Sequence, residues 1–172
     1  VDDISALSSL RQLQPKRYNY IDFISRGSKP VWGFIAQQVG EVLDYSTSII
    51  TDFIPNVYDT ATITKDANGN TLLTLINKTV ELQTGDNMTQ NIKLFDNNNK
   101  EVRVTLKDII SNNEFTINEE LSENQYFVFG QEVTDFHTLN KDAIYTITTA
   151  AVQEIDIQVQ ELQTELQQLQ QQ

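Results

Sequence analysis

The chain has 172 residues, 39% of them hydrophobic, and a formal net charge of −12. The acidity excludes a general nucleic-acid binder, which needs a basic face toward phosphate. The absence of cysteine excludes disulfides and thiolate metal sites, and no run approaches the roughly 18 apolar residues of a membrane-spanning helix. The start, "VDDISALSSL", lacks the basic region of a signal peptide and an initiator methionine; it reads as a piece of a longer chain. Residues 1–45 carry five acids and five bases, residues 46–135 fourteen and six, and residues 136–172 five and one. The middle tract therefore reads as a separate, solvated unit.

"DDISALSSLRQL" predicts a first helix, capped by Asp2 or Asp3, with Ile4, Leu7 and Leu10 as its apolar stripe. Pro15 limits it. "KRYNYIDF" alternates like a strand, and "SRGSKP" reads as a turn. In "PVWGFIAQQVGEVL", Phe34, Ile35, Val39, Val42 and Leu43 recur at helical spacing, with Gln37, Gln38 and Glu41 opposite. Gly40 weakens that helix by about 1 kcal/mol relative to alanine, which suggests close packing.

From residue 60 to about 130 the period becomes two. "TATITK-DANGN-TLLTLI" predicts a hairpin with Asn68-Gly69 supplying positive φ. "VELQ", "MTQNIKLF", "EVRVTL", "EFTI" and "QYFVFG" continue as short strands, so a small sheet or barrel is expected. After "DFHTLNKD" the helical pattern returns, begun by Asn140 or Asp142. Val152, Ile155, Val159, Leu162, Leu166 and Leu169 then form an a/d seam spaced 3, 4, 3, 4, 3. A helix with this stripe needs partners. Val at a with Leu at d leans towards dimers, whereas Leu166 at a and Ile155 at d lean the other way.

Candidate chemistry is sparse. His137, the only histidine, reads as structural or surface. "DANGN" lacks the glycine position and the twelfth-position glutamate of a calcium loop. Asn77-Lys78-Thr79 and Asn87-Met88-Thr89 are glycosylation sequons of a kind common by chance. Glu119-Glu120 reads as a solvated edge. No phosphate loop or nucleophile elbow is present, and no metal or cofactor is expected.

The order of pieces carries a resemblance. "L-x-P-x-R-Y-x-Y" (Leu13, Pro15, Arg17, Tyr18, Tyr20) and "G-F-I-A-Q" (Gly33, Phe34, Ile35, Ala36, Gln37), followed by a terminal helix with "AAVQEI" and a coiled coil, closely resemble the C-terminal intramolecular chaperone domain of phage tail-spike endosialidases. The same module occurs in other viral fibre proteins and in myelin regulatory factor. The resemblance covers residues 1–45 and about 136–172. It implies an α+β fold: a small helix–strand–helix chaperone core (1–45 and 136–172) with a C-terminal trimeric coiled coil and an inserted acidic β-subdomain over 46–135.

It further implies a homotrimer that registers the chains of a viral fibre or tail spike, with the upstream fibre or β-helical region of the same chain as partner. Such a protein works in the host cytoplasm during virion assembly, and its parent resides in the virion. Release is by serine-dependent self-cleavage, with a lysine as base, at a Ser-Asp motif upstream of the first helix. Neither Ser8 nor Ser9 supplies that motif, so no catalytic residue is expected in this chain. Neither nucleic acid nor membrane is an expected partner. The other reading is an oligomeric binding module whose β-insert recognises a glycan or a protein.

Overall fold

The computed structural model describes residues 3–80 and 82–171. Asp2, one of the two expected caps, lies outside the described residues, as do Glu81 and the side chain of Asp3. The fold is α+β, and the chain divides into two compact units.

The first unit comprises residues 1–18, 30–48 and 137–172. Helix α1 (Asp3–Gln12) packs along α4 (Lys141–Gln170). Strands β1 (Lys16–Tyr18) and β2 (Val31–Gly33) pair antiparallel, Arg17 opposite Trp32 and Tyr18 opposite Val31. Helix α3 (Ala36–Gly40) and a single 3₁₀ turn (Asp44–Ser46) follow. The core gathers Ala6, Leu7, Leu13, Val39, Leu43, Ile144, Ile147 and Ala151.

Two expectations change here. The helix predicted over Phe34–Leu43 is only five residues long. The chain leaves helical geometry at Leu43 (φ −133°, ψ 76°), and this turn lets both Val39 and Leu43 enter the core. On α1 the buried pair is Ala6 and Leu7, with Leu10 half-buried and Ile4 exposed. A small residue, not the expected large one, sits where α1 approaches α4.

The second unit comprises residues 19–29 and 49–136. Residues 19–29, expected with the helical core, group with the β-structure. Strands β4 (Asp59–Lys65), β5 (Thr71–Leu75), β8 (Glu114–Ile117), β7 (Glu101–Ser111) and β6 (Met88–Phe95) follow one another in space. Both β4 and β6 pair with β9 (Gln125–Leu139), which closes a six-stranded antiparallel barrel; β3 (Thr47–Phe53) lies on β9 outside the ring. Alternation sends Leu73, Leu75, Ile92, Leu94, Phe115, Ile117 and Val128 inward. At Gly130 a Cβ would lie 2.0 Å from the Ile54 carbonyl oxygen, so only glycine fits where β9 crosses residues 54–56. Where "VELQ" was expected as a strand, the backbone over Leu82–Thr84 is irregular, because Gln83 N–H donates to the buried Gln131 Oε1 (2.9 Å) and Gln83 O accepts from Gln131 Nε2 (3.0 Å).

Two hairpin turns of the barrel, β4–β5 and β6–β7, are built alike. Asp66 Oδ1 accepts from Asn68 N–H (2.9 Å) and Asn70 N–H (2.8 Å). Asp96 Oδ1 accepts from Asn98 N–H and Lys100 N–H, both at 2.8 Å. The fourth residue has positive φ in each: Gly69 at +83° and Asn99 at +59°. Only Gly69, and not Asn68, takes the conformation expected of that pair, since the aspartate-anchored loop is longer than a two-residue turn.

Asp59 anchors the segment after β5. Its carboxylate is buried and accepts from Asn77 N–H (2.8 Å), Asn77 Nδ2 (2.9 Å), Lys78 N–H (2.9 Å) and Thr60 N–H (2.8 Å). Burial works to raise its pKa, and these donors outweigh it, holding the group below 3.8. Its contribution to stability is therefore complete above the unfolded value of 3.8 and fades as pH falls through the folded one. Asp59→Asn should destabilise the barrel by about 1–3 kcal/mol at neutral pH. In urea titrations that gap should close in acid.

Candidate functional site

Helix α4 begins at Asn140, whose Oδ1 accepts from Asp142 N–H (3.1 Å) and Ala143 N–H (3.4 Å). Its first half buries Ile144, Ile147, Ala151 and Glu154. Spacings of 3, 4 and 3 put these on one face, and α1 covers that face. Ala6 and Ala151 are both fully buried, and their small side chains let the helix axes come close.

A second apolar stripe on α4 is uncovered. Val152, Ile155, Val159, Leu162, Leu166 and Leu169 are all exposed, from 44% at Ile155 and Val159 to 67% at Leu169. Tyr145, seven residues before Val152, is 65% exposed and continues the a positions one heptad earlier than the sequence suggested. Its aromatic ring and the Thr148 at the matching d position hid that heptad from a search for aliphatic repeats. From Ile155 onward no α4 residue is buried by this chain. Local bonds support the backbone there: Gln158 Nε2 donates to Glu154 Oε1 (2.6 Å) and Gln160 Nε2 to Asp156 Oδ2 (2.8 Å).

The two sequence phrases meet in the β1–β2 hairpin. Tyr18 ends β1 and Gly33 ends β2, and a Cβ on Gly33 would lie 2.8 Å from Tyr18 Oη. The tyrosine ring lies across the glycine, so each residue type requires the other. Leu13 enters the core, and Phe34 packs against it from the partly buried edge. Ile35 and Ala36 are half-buried; Pro15, Arg17 and Gln37 are exposed. Tyr20 belongs to the other unit, where the Arg26 guanidinium lies 5.5 Å from its ring.

The remaining candidates find structural roles. Asp66 spends its carboxylate on the turn, as above. Asn77 and Asn87 donate their amides to Asp59 (2.9 Å) and Asp135 (2.9 Å). Glu119 accepts from Thr105, and Glu120 pairs with Lys65. Ser8 and Ser9 lie within α1. Among the described residues no His, Asp and Glu side chains cluster to hold a metal ion. No described helix is long and apolar enough to cross a membrane.

The helical unit thus has a small closed core and a bare apolar stripe along α4. Residues 1–47 match the family described as chaperone of endosialidase. The chain is also 30% identical, over 210 aligned positions covering 93% of it, to "Uncharacterized protein VP1" of Micromonas pusilla reovirus (isolate Netherlands/2005). It spans 11% of that relative's length.

The buried alanines of α1 and α4 yield a prediction. Ala151→Leu forces extra methylenes into a filled helix–helix contact and should cost about 1–3 kcal/mol. Gln153→Ala, two residues on, exposed and off the a/d stripe, should cost almost nothing. Thermal unfolding followed at 222 nm, a standard wavelength for helix, separates the two.

Proposed function

We propose that this chain is an intramolecular chaperone which trimerises and registers three copies of a viral fibre or tail-spike protein while they fold. The observation that carries the reading is the uncovered stripe from Tyr145 to Leu169 on a helix whose neighbouring face is already buried over residues 144–154. The match of residues 1–47 to the endosialidase chaperone family and the likeness to a much longer viral protein support it. In this reading the module acts in the host cytoplasm during virion assembly. It is released from the virion-bound fibre by self-cleavage upstream of Val1.

The physics of the role is direct. Intertwined β-fibres depend on non-local contacts, so they form slowly and expose strand edges meanwhile. A coiled coil forms from contacts local in sequence. Once formed, it holds three fibre strands at a high effective concentration and in one register.

Light scattering on the purified chain should give about three times its 19.6 kDa mass. Val159→Asp with Leu162→Asp places charges in the buried seam and should return a monomer. Both positions are exposed in the single chain, so the strand signal in circular dichroism should persist. A wild-type monomer at micromolar concentration would sink the assembly reading. The chain itself should keep its full mass over days at neutral pH. Ser8 and Ser9 sit in helical backbone, where a carbonyl is not open to attack by a neighbouring hydroxyl. A specific cut within residues 1–20 would contradict this.

A further inference from the structure

The barrel unit carries a cleft of about 460 Å³ that the chaperone role does not use. Its lining includes Asp22, Tyr58, Phe95, Asn99, Phe127 and Phe129, all in one unit. Phe95 and Phe127 are cross-strand partners on β6 and β9. The Phe127 ring stands edge-on to Tyr58 at 5.0 Å and 87°, and Phe129 stands edge-on to Phe95 at 6.3 Å and 77°. The barrel thus turns a patch of rings outward instead of inward. A volume of this size falls in the range of ligand sites, roughly 300–1,000 Å³.

Two backbone facts converge on the same cleft. Among the described residues only Tyr58 (φ +50°) and Asn99 (φ +59°) are non-glycine residues with positive φ. Both line it. Such conformations cost of order 1 kcal/mol or more for a bulky residue and persist where the surroundings hold them. Tyr58 is held by its hydroxyl, which donates to Asp22 Oδ1 (2.9 Å) and accepts from Ile24 N–H (3.1 Å). Phe23 also packs edge-on against it. Anchoring residues 19–29 to the barrel would account for Tyr58, Phe23 and Asp22.

It does not account for Asn99. The twin turn at Asp66–Asn70 shows what the backbone alone prefers there, namely Gly69. At the matching position of the second turn stands an asparagine lining the cleft. The lining therefore pairs apolar ring surface with a carboxylate and a carboxamide. Bonds from Ser25 and Tyr58 outweigh burial and keep Asp22 ionised, so it can only accept; Asn99 can donate and accept. A ligand suited to this lining has an apolar face for the rings and hydroxyls at its rim. The surrounding unit is acidic, with fifteen acids against eight bases over residues 19–29 and 49–136, which disfavours an anion.

We propose that this cleft binds a neutral saccharide, one pyranose ring lying against Phe127 and its neighbours with hydroxyls bonded to Asp22 and Asn99. The site is independent of the assembly reading. Its failure would leave the trimer test untouched, and a monomeric chain would not remove the cleft.

Nitrogen-labelled chain, followed by amide NMR, tests this against glucose, galactose, mannose and N-acetylglucosamine at up to about 50 mM, the range for weak single-ring ligands. At least one should shift the amides of residues around 22, 99 and 127–129 with saturation, and N-acetylneuraminic acid should bind at least tenfold more weakly. Asn99→Gly should weaken binding at least tenfold while holding or raising the melting temperature, since glycine suits its φ. Phe127→Ala should weaken it similarly. Absence of saturable shifts with all four sugars would overturn the proposal. So would binding unchanged in Asn99→Gly, or shifts at the same amides with N-acetylphenylalaninamide but with none of the sugars.

Discussion

One helix presents two apolar faces, and its own chain can cover only one of them. Along α4, Ile144, Ile147 and Ala151 are closed off by α1, while Val152, Ile155, Val159, Leu162, Leu166 and Leu169 face outward. Burying apolar surface is worth roughly 25 cal/mol per Å². A stripe of six large side chains left about half exposed is therefore a large unspent driving force. Residues 155–170 also lie at the limit for an isolated helix, since segments shorter than about 12–15 residues are marginal in water. In the proposed trimer, association and ordering of this stretch would be coupled, with a position that depends on chain concentration.

The rest of the helical unit is arranged so that α4 can be left in this state. The β1–β2 hairpin closes by laying Tyr18 on Gly33, and the shortened α3 turns both Val39 and Leu43 inward. The unit thereby completes a core without drawing on the outer stripe. Glu154, the last buried residue of α4, marks where intrachain packing stops. Because its carboxylate is met by Gln158 from the next turn, the helix passes from packed to bare without an unpaired buried charge.

Much of this was legible in the sequence because it is local. The heptad spacing, the helix start at Asn140 or Asp142 and the hairpin at Asn68-Gly69 each follow from a few neighbouring residues, although the Asp66 anchor of that hairpin was not among them. What the sequence concealed was decided by tertiary contacts. The pattern Phe34–Leu43 has a helical period, yet the core needs a turn there. Ile4 is more apolar than Ala6, but the close approach of α1 and α4 favours the smaller side chain. The irregular backbone at Leu82–Thr84, where a strand was expected, follows from Gln131, some fifty positions away. The aromatic cleft draws on segments near residues 22, 58, 95–99 and 127–129, and only the closed barrel brings them together.

The twin turns show how a local departure from preference can be read. Their aspartate anchors are the same, and so are their closing bonds: Asp66 N–H to Asn70 O at 3.0 Å and Asp96 N–H to Lys100 O at 3.1 Å. Backbone demands being equal, glycine is the cheaper residue at the left-handed position of both. One turn uses it. The other uses asparagine, which tolerates the conformation but gains nothing from it in the turn itself. Natural sequences agree with their folds at most levels and depart from them where another demand acts. Here the departure at Asn99 and the one at Tyr58 fall on the rim of one cavity, and folding accounts for the second alone. In the saccharide reading proposed for the cleft, the asparagine adds to the lining a carboxamide that glycine could not supply.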